Sequence, residues 1–198
     1  MIEKIAALFI LSLGAGVFAF SRSAGASFPA SLSIFDQAQL SLDNLGQNEK
    51  SEFSEVDRET LAFTAVLEAD SEGREGMQAV INVVMNRYKL AQSSQNYANQ
   101  YGRTITEICK KPFQFSAWNP DNARLQLLGV IEQGSAYKTA LELVDRAFKG
   151  DLPDITGGAD HYLNIPLTMQ IRGGSLPSWV DLSRTTNEIG KHTFLKLA

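Results

Sequence analysis

Glu68 is the residue whose type and position best fit acid–base chemistry. It lies in residues 57–88, a stretch that predicts two helices joined by a short acidic turn containing glycine. On the first helix it shares a face with Leu61, Thr64 and Ala65, because positions three, four and seven residues apart stack at helical pitch. A carboxylate that ends a mostly apolar stripe is partly desolvated, which favours the protonated form that a general acid needs. Spacing alone leaves open a surface glutamate that simply reaches water.

Two helices must position this acid. The first is predicted from about residue 58 to 69, after a capping box at residues 54–57 that marks the start of the folded part. The second, from about 74 to 91, has the strongest helical period in the chain and is expected to pack in the core rather than form a cofactor site. Asn86 and Arg87 near its end are expected to be structural. Its apolar stripe consists of Met77, Val80, Ile81, Val84, Met85 and Tyr88.

Residues 112–120 form an aromatic and amide cluster between two prolines. Before it, the sequence predicts a polar surface loop at 92–103 and a short helix at 104–110 that stops before Pro112. Aromatic rings stack on the apolar faces of sugars, and Gln, Ser and Asn side chains bond hydroxyl and acetamido groups, so the cluster fits one wall of a glycan site. A plug of the hydrophobic core fits the same composition equally well.

The second half of the chain predicts a third long helix followed by strands. The helix spans about 137–148, with Ser135 as its cap and Gly150 at its end. A glycine turn then leads into a short strand within 156–164, and residues 189–194 form a second strand. Because helices come first and strands last, we expect an α+β domain with a helical lobe, a small β-sheet lobe and a groove between them.

The first strand carries several polar side chains. By alternation, Asp160, Tyr162 and Asn164 lie on one face and His161 lies on the other. A loop containing Gly and Pro, which carries Trp179, separates the two strands. The polar face of the strand is therefore a second candidate wall of the groove.

Composition excludes several classes of protein. The chain has 198 residues, a formal charge of -4 and 44% hydrophobic residues, which is ordinary for a globular protein with one main core. We expect no nucleic-acid partner, because a binder of nucleic acids needs a basic surface. Cys109 is the one cysteine, so no intramolecular disulfide can form and the thiol is expected to be buried and inert.

The N-terminal segment has the outline of an export signal. Lys4 precedes an apolar run at residues 5–20, and an Ala-Gly-Ala cleavage site follows it. We expect cleavage after Ala26 and localisation in the periplasm or cell envelope; the alternative is an uncleaved membrane anchor formed by the same run, which would be the one contact with the membrane. The predicted order is a signal segment at 1–26, a polar linker at 27–56 and the folded domain at 57–198.

Four groups of residues, spread over about 57–196, carry a family pattern. They are residues 68–72 with 75–76, 79–80 and 84–87; residues 114–116; residues 157–159 with Tyr162 and Asn164; and residues 189–190 with His192 and Phe194. Together they resemble the SleB/CwlJ-type cell-wall hydrolases, known from spore-cortex-lytic enzymes. The clearest departure is Asp70-Ser71, where the family more usually has Arg-Gly, and it adds a negative charge beside Glu68.

The resemblance implies a peptidoglycan-cleaving domain related to lysozyme-like and lytic transglycosylase folds, with Glu68 as the catalytic acid and peptidoglycan glycan strands as the partner. We expect no metal and no other cofactor, and the oligomeric state stays open. The substrate-binding residues that we predict are Glu72, Gln114, Phe115, Ser116, Trp118, Tyr162, Asn164 and His192.

The chemistry that the resemblance implies has alternatives. A lytic transglycosylase needs one Glu, which protonates the leaving oxygen and then, as a carboxylate, removes the proton of the muramic acid 6-hydroxyl group. A hydrolytic muramidase needs a second carboxylate, for which Glu72 is the leading candidate, although shaping the turn is its expected role. Cleavage by an N-acetylmuramoyl-L-alanine amidase also stays open.

Two rival interpretations belong to other classes. His161, His192 and one carboxylate could bind zinc in a metal-dependent amidase or peptidase, although no HExxH spacing supports this. The aromatic cluster alone would fit a wall-binding domain without catalytic activity.

Overall fold

A computed structural model describes residues 52–198. Contacts divide the chain into Met1–Glu49 and Lys50–Ala198, and the fold below belongs to the second unit. The predicted signal segment and most of the predicted linker lie outside the described residues. Within residues 52–198, no helix is both long and apolar enough to cross a membrane.

Seven helices form most of the described part of the chain. They are α1 (Glu55–Ala69), α2 (Gly73–Ser93), α3 (Gln95–Tyr101), α4 (Ile105–Lys110), α5 (Leu128–Ile131), α6 (Ser135–Phe148) and α7 (Ile165–Ile171). Short 3-10 turns lie at Asp70–Glu72, Ser116–Trp118, Ala123–Leu127 and Leu182–Arg184.

The predicted capping box at the start of α1 is confirmed. The amide of Asp57 donates to Ser54 Oγ at 3.1 Å, and the amide of Ser54 donates to the Asp57 carboxylate at 3.2 Å. The other oxygen of Asp57 accepts from the amide of Thr106 at 2.8 Å and from its hydroxyl at 2.7 Å. One carboxylate therefore both caps α1 and ties α4 to it.

The core is formed mainly by α1, α2 and α6, and α3 and α4 add Tyr101, Ile105, Ile108 and Cys109 to it. Leu61 from α1, Val80, Ile81 and Val84 from α2, and Leu143 from α6 are all essentially inaccessible to solvent, so the stripe on α2 packs in the core as predicted. The third long helix also lies where we expected it. Its cap differs, because Gly134 is the N-cap and Ser135 is already the first helical residue. Gly150 ends the helix at a φ of 77°, as predicted.

The sheet has three antiparallel strands, β1 (His161–Leu163), β2 (Thr185–Ile189) and β3 (His192–Leu195), in the order β1-β3-β2. The prediction of one strand at 189–194 was wrong. The chain reverses at Gly190, which has a φ of 57°, so that Ile189 pairs with His192 in a hairpin. The tight turn needs the left-handed backbone conformation that glycine adopts at no steric cost.

The loop predicted at 92–103 was also wrong, since α3 occupies most of it. The Ser94 hydroxyl caps this helix by accepting from the amide of Asn96, and Ala98 and Tyr101 bury one face. The sequence is polar enough to resemble a loop, but two buried residues and a cap stabilise the helix. The helix α7 was missed as well. It is short, has a proline in its first turn and buries no residue, and Asn164 caps it.

The α+β class is confirmed, with helices first and a small sheet last. The sheet packs on α2 through a second apolar cluster of Ala79, Val83, Ala159, Ile189 and Phe194. The end of α1 lies close to β1, because the hydroxyl of Tyr162 on β1 donates to Glu68 in the last turn of α1.

Candidate active site

Glu68 lies in the last turn of α1, and three donors hold its partly buried carboxylate. Its Oε1 atom accepts from the Ser116 hydroxyl at 2.9 Å and from the amide of Ala117 at 2.6 Å. Its Oε2 atom accepts from the Tyr162 hydroxyl at 3.0 Å. Residues 48 to 94 positions away in sequence thus converge on one acid.

The aromatic cluster at 112–120 positions the donors for Glu68. Phe115 is buried, and Ala117 is fully inaccessible to solvent. The 3-10 turn Ser116–Trp118, which follows Phe115 and contains Ala117, is therefore anchored in the core. Trp118 donates from Nε1 to the hydroxyl of Thr64 at 2.9 Å, one turn before Glu68 on α1. Of the two roles that the sequence left open, the core plug describes Phe115 and Ala117, whereas Phe113 and Ser116 are exposed. The plug fixes the Ser116 and Ala117 donors.

Tyr162 reaches Glu68 from β1. Its ring packs against His192 at a centroid distance of 5.0 Å and against Phe194 at 5.6 Å. Burial raises the pKa of the Tyr162 hydroxyl well above its usual value, and the adjacent Glu68 raises it further. The hydroxyl therefore keeps its proton at neutral pH and stays available as a donor.

The two acids that follow Glu68 each have a cationic or imidazole partner. The carboxylate of Asp70 accepts from Arg124 at 2.7 Å, and Arg124 also donates to the carbonyl of Leu67 at 2.9 Å. The charge that the sequence adds beside Glu68 is therefore balanced. Glu72 is 7% exposed and lies 3.1 Å from Nδ1 of His192. Glu72 thus joins the turn after α1 to the hairpin of the sheet.

The predicted site residues fall into two groups. The structure brings Ser116 and Tyr162 directly to Glu68, and Gln114 lies beside Tyr162 in the wall of a cavity. The side chain of Asn164 is used elsewhere, since it accepts from the amide of Leu167 as the cap of α7. The remaining predicted residues have other partners: Glu72 pairs with His192, Trp118 donates to Thr64, and Phe115 is buried in the core.

Four residues of this cavity, which has a volume of about 290 Å³, were not among the predicted substrate-binding residues. They are Arg87, Trp179, His161, which was considered only as a zinc ligand, and Phe113, which lies in the cluster at 112–120. Arg87 is 3% exposed and lines it, although its place near a helix end indicated a structural role. Phe113 and Trp179 line it as well and are 96% and 45% exposed. Exposed aromatic rings on either side of a cavity are a signal of a site, but only the fold brings these two loops together.

His161 and His192 have different carboxylate partners. His161 lies 3.1 Å from the carboxylate of Asp160, whereas His192 pairs with Glu72. Between residues 52 and 198, no group of three or more His, Cys, Asp or Glu side chains is arranged to hold a metal ion. Neither histidine therefore supports the two-histidine zinc site considered above.

Asp160 anchors the last residues of the chain to the site. It is fully buried, and its carboxylate accepts from the amides of Leu197 at 2.7 Å and Ala198 at 2.8 Å and from the hydroxyl of Tyr101 at 3.2 Å. Burial alone would raise the pKa of Asp160, but its hydrogen bonds with His161 and the two amides outweigh burial and lower the pKa to about 2. The group is therefore a structural carboxylate at neutral pH.

Comparisons with known proteins point to one family. A family model described as cell wall hydrolase matches residues 71–195. The matched stretch begins just after Glu68, so the role of that residue must be argued from its geometry. No curated protein matches the chain.

Two solved structures are similar to this chain. The catalytic domain of the Bacillus cereus SleB protein is 25% identical with a TM-score of 0.48, covering 73% of this chain and 92% of that one. The catalytic domain of the germination-specific lytic transglycosylase SleB from Bacillus anthracis is 23% identical with a TM-score of 0.48, covering 73% of this chain and 98% of that one.

Proposed function

The chain belongs to the cell wall hydrolase family, and from this premise we propose that it cleaves the glycosidic bond between N-acetylmuramic acid and N-acetylglucosamine in peptidoglycan, with Glu68 as its catalytic residue. One observation carries this proposal. Glu68 is held by three donors from two distant parts of the chain, whereas the neighbouring acids Asp70 and Glu72 have their own partners.

The first step is proton donation to the leaving oxygen. A protonated Glu68 beside the glycosidic oxygen makes the departing sugar a neutral alcohol and leaves positive charge on the muramic acid ring. The hydroxyls of Ser116 and Tyr162 can each donate to a carboxylate or accept from a carboxylic acid, because a hydroxyl has one proton and two lone pairs. The same partners therefore serve both protonation states of Glu68.

The second step regenerates the acid without water. As a carboxylate, Glu68 removes the proton of the muramic acid 6-hydroxyl group, and the freed oxygen bonds to the anomeric carbon and closes an anhydro ring. The fixed amide of Ala117 stabilises the carboxylate through this step, since backbone donors do not reorient during the reaction.

Transglycosylation is favoured over hydrolysis by the state of the second acid. A hydrolase that retains or inverts configuration needs a second carboxylate at the reacting carbon. Glu72 is the candidate, but it is 7% exposed and paired with His192. A hydrolytic muramidase would have to break that pair.

The remaining parts of the proposal concern the substrate and the location. Gln114 orients the glycan strand, and Ser116 and Tyr162 contact both Glu68 and substrate. Phe115, Trp118 and His192 hold these residues in place, and Asn164 acts through α7, which it caps. The protein acts in the cell envelope, to which its N-terminal segment exports it.

Replacement of Glu68 by Gln tests the proposal. The amide keeps the size and most of the hydrogen bonds of the side chain but cannot donate a catalytic proton, so release of soluble fragments from purified peptidoglycan should fall about 1,000-fold. Glu59 lies exposed on the same helix, and Glu59→Gln is the matched control that should keep wild-type activity. A Glu68→Gln protein that clears peptidoglycan as fast as wild type would contradict the role of Glu68 and place the active site elsewhere.

A further inference from the structure

The cavity beside Glu68 contains a cation and no acid. Its lining residues are Arg87, Phe113, Gln114, His161, Tyr162 and Trp179. This is unusual for a chain with 22 acidic against 18 basic side chains. Tyr162 belongs to the cavity and also donates to Glu68, so the two features are neighbours.

The guanidinium of Arg87 has no salt bridge with a carboxylate within residues 52–198, and Asp160 attracts its charge without a direct contact between the two charged groups. Its Nε atom donates to the backbone carbonyl of Asp160 at 2.6 Å, but its buried Nη1 atom has no hydrogen-bond partner. The rings of Tyr101 and Phe115 lie 5.3 and 5.0 Å from its central carbon. Burying an arginine without a pairing anion is costly, and an unpaired buried nitrogen calls for an explanation.

The acids nearest to this arginine are already engaged. The Asp160 carboxylate has donors from Tyr101, Leu197 and Ala198 and a contact with His161, but none from Arg87. Glu68 is bonded to Ser116, Ala117 and Tyr162. Neither carboxylate bonds to Arg87, so the guanidinium lacks a directly bound anion in this part of the chain.

Two exposed aromatic rings line the cavity. Phe113 is 96% exposed, and its φ of 65° makes it the one non-glycine residue with a positive φ among residues 52–198. A bulky residue in this conformation is strained, which is characteristic of functional loops. Trp179 is 45% exposed with its ring 5.3 Å from that of His161. Such exposed rings can stack on the apolar face of a glycan unit.

We propose that this cavity is a substrate subsite in which Arg87 pairs with a carboxylate of the peptidoglycan unit held next to Glu68. The inference rests on the proposed function, because it takes the glycan strand as the substrate. Peptidoglycan offers two sources of this group, the lactyl carboxylate of a muramic acid without a stem peptide and the carboxylates of the stem peptide itself. A water molecule would satisfy Nη1 but leave the charge uncompensated, whereas a carboxylate does both.

The test compares acids with their neutral amides. Isothermal titration calorimetry on the unmodified chain measures binding of N-acetylmuramic acid against its lactyl amide, and of muramyl dipeptide against the derivative in which its free γ-carboxylate is an amide. Each pair has nearly the same shape, so a difference reports the charge. We expect at least one acid to bind about tenfold or more tightly than its amide, and the pair that differs identifies the source. Equal binding within both pairs would overturn the proposal.

A variant ties the preference to one residue. Arg87→Gln should bind acid and amide equally, whereas Arg74→Gln, which removes an exposed arginine paired with Glu142, should keep the preference. A preference that survives Arg87→Gln contradicts the assignment. If Arg87→Gln does not fold, equal binding of acid and amide by the wild-type chain still overturns the proposal, and Arg87→Lys, which keeps the charge, is the second variant and should keep the preference. A chain that loses activity on Glu68→Gln but binds acid and amide equally would refute this inference and leave the proposed function standing.

Discussion

At the scale of single residues, the site depends on the donors that face one carboxylate. Glu68 receives hydrogen bonds from a fixed amide and from two hydroxyls that can reverse their role. Hydroxyl groups, which can both donate and accept a hydrogen bond, suit a carboxyl group that must donate a proton and then accept one. Tyr162 is the partner supplied by the sheet, and the raised pKa of its hydroxyl, caused first by burial, keeps it protonated in the working range of pH.

Removal of this hydroxyl should therefore slow catalysis without unfolding the protein. Tyr162→Phe keeps the ring contacts with His192 and Phe194 but loses the 3.0 Å bond to Glu68. We expect kcat to fall about 10- to 100-fold, the range for losing one hydrogen bond to a charged group. Steady-state kinetics on purified glycan strands measure this. Tyr88→Phe, which loses a bond to Glu52 far along α2, is the control, and a wild-type kcat for Tyr162→Phe would contradict the role of the hydroxyl.

At the scale of elements, the hairpin between β2 and β3 is fitted closely to the turn after α1. Glu72 pairs with His192 of β3, and a methyl group at Gly190 would collide with the Glu72 carboxylate. The hairpin therefore holds the sheet, and Tyr162 with it, at a set position relative to the end of α1.

Gly190 and Gly173 have similar backbone conformations, so their Ala variants separate the cost of the left-handed backbone from the cost of a contact with Glu72. Gly190 and Gly173 have φ values of 57° and 65°, so Ala at either position pays about 1 kcal/mol for the left-handed conformation. Only at Gly190 does the added carbon meet Glu72. Gly190→Ala should therefore lower the free energy of unfolding, measured in urea, by clearly more than Gly173→Ala, and it should also lower activity. Equal losses would show that the contact with Glu72 carries no weight.

Local patterns predicted the elements that have a strong period or a strong cap. Both long helices around Glu68, the capping box at Ser54 and the order of helices before strands follow from spacing and side-chain chemistry. The short helices α3 and α7 did not. α3 is polar, and α7, although mostly apolar, is only seven residues long, has a proline in its first turn and buries no residue. A side-chain cap at each start, with buried contacts in α3, stabilises them. The hairpin at Gly190 was read as one strand because a single glycine does not distinguish a bulge from a turn.

At the scale of the whole molecule, function depends on where the helical part and the sheet meet. The sequence predicted Glu68, Ser116 and Tyr162 as members of one site, partly from spacing and partly from family resemblance. It could not predict Arg87, Phe113 and Trp179 as neighbours, because they lie on three separate elements and no local period relates them. The same assembly gives the charge of Asp70 a partner, since Arg124 from a later turn pairs with it.

The central claim is that Glu68 works alone, as acid and then as base, without a water molecule as nucleophile. Mass spectrometry of the soluble products from purified peptidoglycan, digested in water enriched in a heavy oxygen isotope, tests it most directly. The account predicts muramic acid ends that are anhydro, lighter than reducing ends by one water, and free of the isotope. Reducing ends that carry the isotope would contradict it in favour of hydrolysis, and freed stem peptides would contradict it in favour of an amidase.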